Sequence, residues 1–341
     1  MNSASDPTIY PLSKLLADAP SPYAFAENSA LDADPWLIVD LRETVPAPLE
    51  RFDGLDPWLR NRPCPTVAVG AASHPLAAAF DVLLPDTADV ARIAANIAQA
   101  PLTALVLVQV LRRTEGLAME AALTIESLGY ATLQTGPEFR RWLATRAPLD
   151  IPPDTEPPLL LEREDHALRL RLNRPAQRNA ITAPLRDALC EALQLVVTDQ
   201  SIERVEIRGN GACFSIGGAL EEFGSIGDGS VAHAIRSVRL PANLLAQCGG
   251  RAEFHVHSAC IGAGAEIPAF GARVTASRNV FFQLPELQFG LIPGAGGCVS
   301  IPRRIGRQRT AYMALSMKKI NATTALEWGL IDAIVQDDRS G

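Results

Sequence analysis

Two glutamates sit in segments that otherwise avoid charge. Glu266 lies in GAEIPAF and Glu286 in FFQLPELQFG. A carboxylate among apolar neighbours is costly unless it is paired, exposed or functional. For one such residue, a solvated face or a structural ion pair is the ordinary explanation. Two of them, each beside a Gly-rich loop, point to a general acid/base pair.

Two glycine-rich turns frame these carboxylates. The first, ACFSIGGALEEF at 212–223, carries Gly217 and Gly218, which the pattern predicts to end a strand and open a helix. The second, ACIGAGAEI at 259–267, carries Gly262 and Gly264, with a helix predicted from about Ala263. Glycine lets a ligand approach the backbone, and a helix N-terminus offers N–H donors to negative charge. Either turn alone is more often a plain tight turn. Both converging would supply the donor pair that an oxyanion needs. A third segment, GLIPGAGG at 290–297, adds a proline turn and another Gly-rich loop.

Other reactive residue types point elsewhere. His255 and His257 share one face of a strand, but no third ligand is evident and no metal is expected. The six cysteines are scattered without a C-x-x-C pair, which reads as small buried hydrophobes in a reducing compartment.

The elements that must hold these groups follow from the pattern. A Pro-rich, acidic stretch at 148–158 divides the chain, giving an N-terminal region at 1–150, a linker at 151–158 and a second region at 159–341. The N-terminal region opens with β-like runs at 36–41, 66–70 and 80–84. A helix is expected over 86–100 with Asp86 or Thr87 as N-cap, then an ambiguous apolar run at 102–113, and helices over 116–129 and 137–146. Leu117, Ala121, Ile125 and Leu128 fall at helical spacing and predict a buried stripe. After the linker, two alternating runs at 159–172, a helix over 184–197 and strands at 205–208 and 253–257 imply an α/β region with parallel pairing.

Together these segments resemble the signature regions of the enoyl-CoA hydratase/isomerase (crotonase) family over about 159–335, with NRPAQRNAI at 173–181 resembling its early CoA-binding segment. The resemblance implies an α/β fold, a crotonase-like ββα spiral core with an N-terminal α/β plus helical module. It places the oxyanion donors at the backbone N–H groups of Ile216 and Ala263 and the water-activating carboxylates at Glu266 and Glu286. Arg174, Arg178, Asn179, Gly217, Gly262, Pro293 and Gly294 become the candidate substrate and CoA contacts. One glutamate, ionised, would take a proton from water. The other, protonated, would supply one to C2, and the two would titrate as a coupled pair with one raised.

The implied activity is enoyl-CoA hydratase. An enoyl-CoA isomerase or acyl-CoA hydrolase on the same scaffold, or a non-catalytic acyl-CoA-binding or partner subunit, stays open. Ala219 and Glu221 depart from the family pattern, which often has an acidic residue at the first and a basic one at the second. No cofactor is expected beyond the CoA of the thioester, and the resemblance implies a trimer or a dimer of trimers. In the family a helical module follows the core. Here the segment 86–148 resembles that module, and a degenerate half-repeat whose helices replace it is one expectation, an unrelated α/β domain the other.

Composition limits the partners. With 31 basic and 38 acidic residues the formal net charge is −7, which argues against bulk nucleic-acid or anionic-membrane binding. An apolar run of membrane-spanning length and a signal-like N-terminus are both lacking, so the expected location is cytoplasmic.

Overall fold

In a computed structural model, residues 7–19, 21, 23–24, 27–44, 54–147 and 155–336 are described. The first half of the expected linker, 151–154, falls on residues outside that set.

The N-terminal region begins with a parallel sheet of β1 (Tyr10–Pro11), β2 (Leu37–Asp40), β3 (Thr66–Val69) and β4 (Val82–Leu84), in that spatial order. The two middle strands, LIVD and TVAV, are almost wholly buried. Continuous apolar runs suit strands covered on both faces. Helices α1 (Leu12–Asp18) and α2 (Leu55–Arg60) accompany the sheet.

Four helices follow: α3 (Val90–Gln99), α4 (Pro101–Thr114), α5 (Met119–Gln134) and α6 (Pro137–Ala144). Pro101 and Pro137 open α4 and α6 at the position where a missing N–H costs no helical bond. The ambiguous run at 102–113 is therefore helix. No single described helix is long and apolar enough to cross a membrane, and α3 and α4 are bent by 109° at their junction.

Two expectations fail here. Helix α3 starts four residues after the predicted 86, because the Asp86 carboxylate accepts the Ala88 N–H (2.8 Å) in a turn outside the helix. On α5 the buried face is not the predicted stripe. Leu117 and Leu128 are exposed, and Ala122, Leu123, Glu126 and Ser127 face inward. The sequence holds two competing stripes, and packing selected the one that carries polar atoms.

The second region starts with an antiparallel hairpin of β5 (Leu159–Glu164) and β6 (Ala167–Leu172). From β6, parallel pairing runs through β7 (Arg204–Gly209), β8 (Ala252–Val256), β10 (Arg273–Ser277) and β13 (Ala333–Val335). A smaller sheet holds β9 (Ala259–Ile261), β11 (Phe281–Gln283) and β12 (Ile320–Asn321). Twice the chain lays a strand in the large sheet and then a short one in the small sheet, β8 then β9 and β10 then β11. Helices α7 (Ala183–Thr198), α8 (Gly229–Val238), α9 (Pro241–Cys248), α10 (Ala263–Glu266), α11 (Gly297–Ile305), α12 (Arg307–Ser316) and α13 (Ala322–Trp328) wrap these turns. Three of these helices carry side-chain N-caps. Thr182 accepts from Leu185, Asp228 from Ser230 and Val231, and Asn321 from Thr324.

The two regions share a core. One apolar cluster runs from Ile93, Leu107 and Leu111 to Ile301, Met313 and Leu315. Beside it, buried Asp81 takes Arg112 of α4 at 2.5 Å and Arg307 of α12 at 3.0 Å. A carboxylate buried there is tolerable only because two guanidiniums and Thr66 satisfy it. Asp89 likewise accepts from the Tyr312 hydroxyl and the Lys318 ammonium.

Candidate functional site

Strand register brings three distant segments together. Ser215 bridges Cys260, and Ile261 pairs Gln283. The residues that follow each, Gly217, Gly262 and Glu286, are thereby neighbours. Both glycines have positive φ, 89° at Gly217 and 51° at Gly262. A Cβ on Gly217 would lie 2.6 Å from the Ile261 carbonyl oxygen, and one on Gly262 would lie 2.5 Å from Glu286 Oε1. Close approach, and not turn geometry alone, demands glycine at both. The second turn opens α10 as expected. The first does not open an α-helix: only a three-residue 3-10 turn, Leu220–Glu222, follows it.

A cavity of about 730 Å³ lies against these turns, with Glu266, Glu286, Gly217, Gly262 and Ala263 on its wall. Arg178 and Arg186 also border it, as does exposed Glu221. Glu222 turns away: its carboxylate accepts the Ala183 N–H at the start of α7. The apolar wall includes Phe223 and Phe289, which pack on Trp142 of α6 with ring centroids 6.0 and 4.9 Å away. The N-terminal helices thus back one side of the cavity.

Glu266 is 2% exposed, and its Oε2 accepts the N–H groups of Ala295 (2.6 Å) and Gly297 (2.8 Å). Burial raises its pKa to about 7, with the two loop N–H groups and Arg236 pulling the other way. Glu286 is raised well above the usual range by burial and then by the charge of Glu266. Its Oε2 is buried and accepts no hydrogen bond from the described residues. The arrangement suits one carboxylate that ionises readily and one that holds its proton.

The candidate donors differ from each other. Ala263 is the first residue of α10, and its N–H donates to no protein acceptor among the described residues. The Ile216 N–H instead donates to the Arg178 carbonyl at 3.2 Å, so it is not free in this arrangement. The Gly218 N–H, two residues further on, donates to no described acceptor. The remaining candidates separate in the same way. Gly294 borders the cavity, whereas Pro293 does not, and its carbonyl accepts from Cys298 Sγ. Asn179 is fully buried and pins a turn, donating to the carbonyls of Asn210, Cys213 and Phe214. Its left-handed φ of 53° is one asparagine accepts readily. Arg174 borders the cavity but is 3% exposed and donates to the Ala180 carbonyl, which makes it more a turn brace than a mobile phosphate ligand.

Three residues absent from the sequence reading gather here. Glu126 and Tyr130 come from α5, and Arg236 comes from α8. Glu126 is fully buried, and its two oxygens accept the N–H groups of Gly296 (2.8 Å) and Cys298 (2.9 Å). Burial, then the charge of Glu266, raises it to about 8. Arg236 lies 3.5 Å from Glu126, bonds the Gly294 carbonyl and sits 4.4 Å over the Tyr130 ring. The signal for Glu126 was present in MEAALTIESLGYATLQ, a helix whose one mid-helix charge is this glutamate. The stripe chosen from the same stretch hid it.

Among the described residues no group of His, Cys, Asp and Glu could hold a metal ion. His255 Nδ1 meets Thr275 Oγ1 at 2.7 Å, and His257 Nε2 meets the Gly211 carbonyl oxygen at 3.1 Å. All six cysteines are free and buried.

The "Enoyl-CoA hydratase/isomerase" family profile matches residues 162–339. A 2,3-dehydroadipyl-CoA hydratase of Escherichia coli (strain K12) is 33% identical over 186 residues, covering 53% of this chain and 70% of that protein. An enoyl-CoA isomerase/hydratase of Mycosarcoma maydis is 34% identical, over 48% of this chain and 64% of its own length. Among solved structures, an enoyl-CoA hydratase/isomerase from Mycobacterium paratuberculosis superposes with a TM-score of 0.50 at 26% identity, covering 54% of this chain and 75% of that one.

Proposed function

This chain belongs to the enoyl-CoA hydratase/isomerase family, and from that premise we propose that it hydrates a 2-enoyl-CoA thioester by syn addition of water. The observation that carries the reading is the placing of Glu266 and Glu286 on one cavity wall beside the unengaged Ala263 N–H. The thioester oxygen would take that N–H, so negative charge developing there as water adds at C3 is stabilised by a donor already in position. A second donor would come from Gly218, or from Ile216 once its 3.2 Å bond to Arg178 opens.

Glu266, with its ionised form supported by two loop N–H groups, takes the proton from water. Glu286, held protonated by burial, delivers one to C2. Arg178 at the cavity edge is the proposed partner for the CoA phosphates. These residues require no cofactor beyond the substrate's own CoA.

The test is turnover of crotonyl-CoA by the full chain, followed by Glu266→Gln and Glu286→Gln. Each variant is expected to fold and lose roughly 10²-fold or more in kcat. Near wild-type hydration by either variant removes that residue from the mechanism. The isomerase reading draws on Glu286 Oε2, which accepts no bond from the described residues and could carry a proton between C2 and C4 alone. Turnover of a 3-enoyl-CoA that survives Glu266→Gln but not Glu286→Gln would favour it.

A further inference from the structure

The N–H groups from Ala295 to Cys298, at and before the start of α11, alternate between two carboxylates. Ala295 and Gly297 donate to Glu266, and Gly296 and Cys298 donate to Glu126. The loop between them is packed too closely to slide: a Cβ on Gly297 would lie 2.5 Å from Glu266 Cγ, and Gly294 abuts the Tyr130 ring. Glu126 does not itself line the cavity and acts from behind the loop. It also belongs to α5, outside the residues the family profile matches.

We propose that Glu126 is a positioning residue for the reaction: by holding alternate N–H groups of the 295–298 loop, it aims the other N–H groups at Glu266 and so sets both the orientation and the proton affinity of that catalytic carboxylate. The proposal rests on the hydratase reading for its rate consequences, but its structural content is independent of that reading. Without Glu126, the Gly296 and Cys298 N–H groups would have no acceptor, and the loop would turn to find one. Glu266 would lose its aim with the loop.

Ionisable groups also surround Glu126. The charged and titratable groups facing Glu126 are Glu266 on α10, Glu286 beyond it, Arg236 on α8, Tyr130 on its own helix and Cys298 on α11. Ser127 links His233 and Arg236 to the same face. Glu266 raises Glu126, and Arg236 pulls both down. Glu126, raised to about 8, is largely neutral where Glu266 titrates at about 7, so a neutral isostere removes little charge there and the aim of the loop N–H groups carries the effect.

The experiment uses the full chain as wild type, Glu126→Gln and Glu126→Ala. Crotonyl-CoA hydration is measured across pH, and Glu266 is titrated directly by carbon NMR of labelled glutamate, its signal identified by Glu266→Gln. Glu126→Ala is expected to lose about 10-fold or more in kcat, on the scale of a misplaced catalytic group, with KM within about 3-fold. Glu126→Gln, which restores one acceptor, is expected to recover part of that rate. In Glu126→Ala both the acid-side inflection of kcat/KM and the Glu266 titration should move up by at least about 0.5 pH unit, because the loop N–H groups that favour ionised Glu266 lose their aim, and in Glu126→Gln by less in the same direction. A Glu266 titration that does not move up overturns the proposal, as does a loss of thermal stability with kcat per folded molecule unchanged. Should Glu126→Ala not fold, Glu126→Gln decides alone. If wild type leaves crotonyl-CoA untouched, the hydratase reading fails, while the NMR titration still decides the role of Glu126.

Discussion

Gly217→Ala tests whether the two facing turns form one reactive unit. Gly217 has a φ of 89°, where alanine costs about 1–2 kcal/mol in the backbone alone. The added Cβ would also stand 2.6 Å from the Ile261 carbonyl oxygen, against 3.4 Å for the nearest ordinary contact. The turn and the strand end must therefore part by about 0.8 Å, close to the 1 Å displacement that costs on the order of 10²-fold in rate. That strand end leads directly into Gly262 and Ala263, so the donor and the carboxylates shift relative to the first turn. The expected result is a folded protein, modestly destabilised, with kcat for crotonyl-CoA down about 10²-fold. Loss of enoyl-thioester absorbance gives the rate, and a thermal melt gives the stability. Gly250→Ala is the control, since nothing lies within 4 Å of its added Cβ and its φ is ordinary for alanine. A folded Gly217→Ala with a rate within about 3-fold of wild type would refute the reasoning, because a 0.8 Å shift would then leave the chemistry untouched.

Three further outcomes follow from the same geometry. Ala263→Pro removes an N–H at the first position of α10, where proline is tolerated, so the fold should survive while transition-state stabilisation drops by about 3 kcal/mol; a normal rate in the folded variant would remove Ala263 as a donor. Residues 155–341 expressed alone should aggregate or bind an apolar dye, because Val299, Leu315, Phe223 and Phe289 lose the cover of α3 to α6; a soluble, monomeric, cooperatively folding fragment would defeat the idea that the N-terminal helices complete the core. Burial holds Glu286 above its ordinary 4.5, so at higher pH the folded state keeps a proton the unfolded state releases, and this contribution to stability is lost as pH rises from about 4.5 through the folded value. Denaturant unfolding from pH 5 to 8 should therefore show Glu286→Gln gaining on wild type by up to about 1.4 kcal/mol per pH unit, and a constant difference would count against a buried, proton-holding Glu286.

Part of the element order and two of the three buried carboxylates at the site were legible in the amino-acid sequence. Apolar runs bounded by turn residues located β2, β3, β4 and the β5–β8 series, because a strand's burial is written in consecutive residues. Glu266 and Glu286 were visible for the same local reason, being charges inside apolar segments beside glycines. Which face of α5 would be buried was not visible, since Leu117 and Leu128 offered a better apolar stripe than the one that packed. The choice was made by partners 170 residues away, where Gly296 and Cys298 present N–H groups that a leucine cannot satisfy. The engagement of the Ile216 N–H by Arg178, and the diversion of Asn179 from ligand contact to turn brace, likewise depend on strand register and left-handed backbone at 178 and 179. Local sequence states what each residue can do. Long-range hydrogen-bond satisfaction decides which of those capacities is spent on the fold and which is left facing the cavity.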